Sequence, residues 1–424
     1  MRFTRVDLGG RLGAAASLLR DADWLTRERV RAYLWILLCL TGAAIVGWIA
    51  LSHDGLDRLG KPLGTDFMSF WAASRIALSG HPALVYDPAV HAAAERAAFA
   101  GAPVGYAAYF YPPLYLLLCL PLAFLPYLGA LAAWLGLTGA LCWRAVRSIL
   151  GEAPLAPAVL LLAFPGVFST LGHGQNAFLT TALLGFGILA LDRRPILAGI
   201  CFGLLAFKPH LGVLIPVCLV MSGRWRAVLT AGGTVVLFAG VTTAVFGTET
   251  WRAFIAVSAL ARQSLEQGLV EPEKMQSVFA AVRLLHGSLG LAYGLQAIAA
   301  LGAAGIVAVA SRARAGGLAE GAVLACATLL ASPFLLDYDL MILAIPMAWI
   351  VREARRTGFF PWEKTALFAA FVLPLLSRTV AARLGVPLGP PVVLALLIVV
   401  SRRALAGRRE PAVSALSPIE ALAA

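Results

Sequence analysis

From Ala32 to Leu51 no side chain carries a charge. About twenty such residues in a helix span roughly 30 Å, the thickness of a bilayer's hydrocarbon core. The pattern recurs down the chain. Apolar runs cover 127–147, 155–171, 176–191, 195–222, 227–246, 287–310, 318–334, 338–351, 364–377 and 386–401. None of them alternates polar and apolar residues, as a transmembrane β-strand would. A water-soluble domain has charge on about a quarter of its residues. Here the share is 13%, against 60% hydrophobic residues and a mean hydropathy of +0.84. The expected fold is an all-α polytopic membrane protein. A soluble enzyme, a secreted disulfide scaffold and a disordered chain are excluded.

Charge placement orients the spans. Arg falls between the runs in ones, twos and threes, as topology signals do, so the net charge of +12 does not point to a nucleic-acid partner. The run 195–222 is broken by Lys208-Pro209-His210 and reads as two short passes. Leu114–Leu125, bounded by prolines, reads as an interfacial or re-entrant segment. With the N-terminus in the cytoplasm, twelve spans leave 23 Lys and Arg inside and 11 outside, while the acids divide 11 to 11. That bias supports residues 1–30 and the 404–424 tail as cytoplasmic, a spanning domain over 31–403, and a multi-pass protein of the plasma membrane. Seven Arg by position 31 make the first span an uncleaved anchor. The outer face then holds a loop over 53–126, a second over 247–286, and the turns at 172–176, 208–210 and 332–339. Cys39, Cys119, Cys142, Cys201, Cys218 and Cys326 all lie in apolar runs without a CxxC pair and are expected to be buried small hydrophobes.

The unusual polar residues gather on that outer face. Asp66 precedes an amphipathic stretch, Phe67–Leu78, expected to be a helix on the membrane surface. There it is either a helix cap or a general base, and the two are compatible. Lys208 sits between two hydrophobic half-segments. A lysine at that depth costs a few kcal/mol and needs a partner or a task; the plainer account is a side chain snorkelling to the interface. His210 beside it reads as a polar lining residue. Gln175 and Asn176 form a Gly-flanked turn. Asp337 and Asp339 are the acids of a long apolar region, suited to a cation, a sugar or an Arg, or to capping. Tyr111, in Tyr109-Phe110-Tyr111-Pro112-Pro113, could stack on a sugar or belong to an aromatic belt.

No Walker motif, HExxH, nucleophile elbow or nucleotide-binding glycine pattern is present. Chemistry outside the cell without nucleotides needs an activated substrate delivered through the membrane. A lipid-phosphate donor meets that need, with its phosphate at the interface and its tail in lipid.

The ordered set Asp66-Phe67…Trp71-Ala72-Ala73-Ser74…Gly80…Tyr86, Phe110-Tyr111-Pro112-Pro113-Leu114, Gly174-Gln175-Asn176, Gly199…Gly203-Leu204…Lys208-Pro209, Gln276-Ser277…Arg283-Leu284 and Ser332-Pro333 resembles glycosyltransferase family 87. The resemblance implies a GT-C fold using a polyprenyl-phosphate sugar, mannose above all, as co-substrate. It implies a lipid or glycan acceptor, and no metal or other cofactor is expected. It implies that Asp66 is the catalytic base. Lys208, with Arg283 and His210, would hold the donor phosphate; Tyr111, Gln175, Asn176, Asp337 and Tyr338 would orient sugars. Family members often carry His just after the Ser-Pro turn, where this chain has Leu336-Asp337-Tyr338. The competing reading is a transporter or flippase of a lipid-linked sugar, which broken helices would also suit.

Overall fold

The computed structural model describes residues 16–151 and 157–406. The first fifteen residues of the expected N-terminal segment, and the tail beyond 406, lie outside the described residues. Among the described residues the chain is helical, with only isolated β-bridges. The protein is an all-α polytopic membrane protein. Among the described residues six helices are long and apolar enough to cross a bilayer: Arg27–Ala50, Tyr127–Leu150, Trp225–Phe246, Leu289–Arg312, Glu363–Leu384 and Gly389–Ala406. Shorter apolar helical stretches cover Pro113–Phe124, Ala177–Ala190, Pro195–Phe207, Pro209–Met221 and Gly317–Ala331.

Proline decides where the apolar runs break. The 195–222 run divides into Pro195–Leu204, a 3-10 turn Leu205–Phe207, Pro209–Gly212 and Ile215–Met221. Proline opens the first and third of these, at the position where its missing N–H is no loss. Lys208 sits at the break with φ −132° and ψ 68°. The 155–171 run also breaks, between Pro157–Leu162 and Pro165–His173.

Gly317–Ala331 is the centre of the bundle: all its residues but Leu318 are buried. A helix apolar all round must be enclosed, and small residues let its neighbours close in. A Cβ on Gly321 would stand 2.3 Å from Ile188. Gly199 and Gly203, one turn apart on Pro195–Leu204, do the same against Trp225–Phe246. Five cysteines are buried as expected, while Cys39 is exposed on the outward-facing Arg27–Ala50 helix.

The turns expected in the cytoplasm meet at one end. Arg224 pairs with Asp192 at 2.7 Å and with Glu320, and Asp192 accepts the Gly317 N–H at 2.8 Å. Arg403 grips Glu363 at 2.6 Å and the carbonyl of Gly358 at 2.6 Å. The two long loops cover the other end. The Phe67–Leu78 helix is more enclosed than its pattern implies, with nine of its twelve residues buried. The first loop folds back over it, through Pro82–Tyr86, Pro88–Ala97 and Leu120–Phe124. The second loop is tied to the 332–339 turn by the Gln276 N–H on the Leu335 carbonyl, 2.8 Å.

Candidate active site

Two glycines bring Asp66 to the 172–176 turn. Gly64 and Gly174 both have positive φ, 72° and 65°. A Cβ on Gly174 would stand 2.5 Å from the Phe67 Cβ and 3.2 Å from the Gly64 Cα. Only glycine permits that approach. The contact is sealed by the Asp66 N–H on the His173 carbonyl at 3.0 Å.

Asp66 starts the Phe67–Leu78 helix, yet its side chain makes no cap hydrogen bond. The carboxylate turns to the site instead. Oδ2 accepts from the Gln175 amide at 2.9 Å. Oδ1 lies 3.4 Å from the Thr65 hydroxyl and 3.8 Å from His173 Nδ1. The side chain keeps 35% of its exposure. An ionised carboxylate with an open face can accept a proton from a hydroxyl placed against it.

Gln175 is held in one orientation. Its Oε1 accepts from the Tyr111 hydroxyl at 3.2 Å and from the Asn176 N–H at 3.1 Å, so its amide nitrogen must face Asp66. Asn176 extends the chain of contacts inward, with Oδ1 accepting from Lys208 Nζ at 3.1 Å. Lys208 is 3% exposed and also donates to Asp339 Oδ1 at 2.5 Å. It therefore does not snorkel; it is the cation of a buried ion pair. Its Nζ lies 5.1 Å from the centre of the Tyr338 ring, and the centres of the Tyr338 and His173 rings are 5.9 Å apart with their planes inclined at 60°. Asp337 is buried in the same turn, outside the long spans. Burial pushes its carboxyl above the usual range, opposed in part by His173 and Arg378.

Seven of the expected residues thus converge: Asp66, Tyr111, Gln175, Asn176, Lys208, Asp337 and Tyr338. Two stand apart. Arg283 donates to the Gly287 carbonyl at 2.7 Å, a bond within its own turn. His210 packs edge-on to Phe334, and its Nε2 is buried without a hydrogen-bond partner among the described residues. Neither makes a hydrogen bond or an ion pair to the seven, among the described residues. Two members, Thr65 and His173, are not among the residues the sequence singles out, and Asp339, singled out as an acid suited to a cation, proves to be the partner of Lys208. The signal for His173 was its place between two glycines, and for Asp339 the need of a buried lysine for a counter-charge.

Residues 109–333, more than half of the chain, match the family model of glycosyltransferase family 87. The chain belongs to that family. No curated protein and no solved structure matches it. The matched segment carries Tyr111, His173, Gln175, Asn176, Lys208, His210 and Arg283. Asp66 lies before it, and Asp337, Tyr338 and Asp339 lie just after; all four reach the glycosyltransferase segment through the contacts above. The protein is a multi-pass membrane glycosyltransferase.

Proposed function

We propose that this glycosyltransferase moves a sugar, mannose first among candidates, from a polyprenyl-phosphate donor to a lipid or glycan acceptor on the outer face of the plasma membrane. The observation that carries the reading is the Asp66 carboxylate, partly open, free of the helix it begins and aimed by Gln175.

Asp66 takes the proton of the acceptor hydroxyl as its oxygen bonds to the anomeric carbon. The bond from that carbon to the phosphate oxygen breaks on the opposite face, so configuration inverts, and the polyprenyl phosphate leaves with the electron pair. Tyr111, Gln175, Asn176, Asp337 and Tyr338 hold the sugars in the reactive geometry. Lys208 supplies positive charge to the leaving phosphate. Its partner Asp339 competes with that phosphate, so the lysine is held in place between turnovers and shared during one. The basic bias of the opposite end supports the outward orientation.

The test is transfer by the purified protein in nanodiscs. Polyprenyl-phosphate mannose, other polyprenyl-phosphate sugars and nucleotide sugars are each offered with membrane lipid extract as acceptor. Mass analysis should show one hexose added only from a polyprenyl-phosphate donor. Transfer from a nucleotide sugar alone would overturn the donor class.

A further inference from the structure

A base that has taken a proton must lose it before the next turnover. The Oδ2 side of Asp66 offers no route. Gln175 faces it with a donor, and the Gln175 oxygen already accepts from Tyr111 and Asn176. The Oδ1 side is different. The Thr65 hydroxyl stands 3.4 Å away, and His173 Nδ1 is 3.0 Å beyond it, or 3.8 Å directly from Oδ1. Of the imidazole, ammonium and guanidinium groups among the described residues, only His173 comes within 4 Å of Asp66. Its side chain is 20% exposed, so the ring gives Asp66 a second path to solvent beside its own open face, the one that remains when an acceptor covers that face.

Resting on the base role given to Asp66 above, we propose that His173 is the positioning and proton-exit residue of this enzyme. Its backbone carbonyl fixes the Asp66 N–H and its ring fixes the Thr65 hydroxyl. The Thr65 hydroxyl donates to the Asp66 carboxylate at 3.4 Å and stands 3.0 Å from Nδ1, so it can turn to Nδ1 once Asp66 is protonated. When Asp66 gains the acceptor's proton on Oδ1, it donates to Thr65 Oγ1. One proton then moves from Asp66 to Thr65 and one from Thr65 to Nδ1. Asp66 is again a carboxylate, Thr65 is again neutral, and His173 is an imidazolium that releases a proton to water. The groups around the ring suit that step. The Asp66 carboxylate and the Asp337 carboxyl both act on it, the Tyr338 ring packs against it, Lys208 lies 5.1 Å from the centre of that ring, and Arg378 acts on Asp337.

The experiment compares wild type, Asp66→Asn, His173→Gln and His173→Ala in nanodiscs with a polyprenyl-phosphate sugar as donor. Gln keeps a hydrogen bond to Thr65 but takes no proton. His173→Gln should lower kcat about 10- to 100-fold, with the donor KM and the melting temperature near wild type. Added imidazole should restore part of the turnover of His173→Ala and none of that of Asp66→Asn. A merely structural histidine would show neither the kcat-only loss nor the rescue. Wild-type kcat in His173→Gln, or no imidazole effect on a folded His173→Ala, would overturn the proposal. Should His173→Ala fail to fold, His173→Gln decides alone. Inactive Asp66→Asn beside fully active His173→Gln removes only this inference, whereas fully active Asp66→Asn removes the base assignment and this inference with it.

Discussion

Gln175 holds Asp66 at 2.9 Å from a position 109 residues along the chain, and its own oxygen is fixed by Tyr111. The carboxylate proposed as the general base is therefore oriented by a different segment from the one that carries it. Since Asp66 caps nothing, replacing it by Asn removes no cap. Asp66→Asn should melt within about 2 °C of wild type, bind donor, and transfer sugar about 100-fold more slowly or worse. Thermal unfolding, donor binding and transfer rate on one preparation check this.

Lys208 and Asp339 are each other's counter-charge, with side chains 4% and 1% exposed. Lys208→Met strands a buried carboxylate and should cost about 3–5 kcal/mol of stability. Lys208→Met/Asp339→Leu should recover most of that stability and none of the transfer. Recovery of both would show that the lysine does nothing for the phosphate.

Asp337 gives a pH-dependent prediction. Burial raises its folded-state carboxyl above the ordinary value near 3.8, so the fold favours the protonated form. Its contribution to stability is best below that ordinary value and is lost as pH rises through the raised one. Asp337→Asn is neutral at every pH. It should melt higher than wild type at pH 7, and the gap should close towards pH 4, measured by thermal unfolding in detergent.

Gly203 packs against backbone. A Cβ there would lie 2.7 Å from the Ala231 carbonyl oxygen and 2.6 Å from the Thr234 Cβ. Gly203→Ala should cost about 1–3 kcal/mol by forcing two helices apart. Gly232, with nothing within 4 Å of its Cβ position, is the control that should tolerate Ala. Folded yield and melting temperature report the difference.

Reporter fusions test the orientation. Those after Arg226 and Arg356 should read cytoplasmic; those near His53 and Gly268 should read external. A cytoplasmic reading at Gly268 would reverse the face on which the site lies.

The apolar runs and their prolines carry enough information to place the helices, because burial in lipid leaves few alternatives for a long uncharged segment. Asp66 was legible as an acid in an otherwise acid-free stretch. The pairing of Lys208 was not. Asp337 and Asp339 are two residues apart, and which one meets the lysine depends on the 3-10 turn Asp337–Leu343, a local geometry with no pattern of its own. His173 was hidden for a similar reason. A histidine between glycines reads as part of a turn until Gly64 is seen to pack against that turn. Arg283 shows the limit from the other side: its place in the second loop does not tell that its side chain donates to the Gly287 carbonyl, close to its own helix end.

The separation of 131 positions between Lys208 and Asp339 also sets an order of events at the ribosome. Synthesis at about 5–20 residues per second puts roughly 7–26 s between the two. A chain that has passed Lys208 but not yet reached Asp339 lacks the carboxylate that neutralises the lysine in the finished fold, so this ion pair can close only late in synthesis, after Asn176 is already in place.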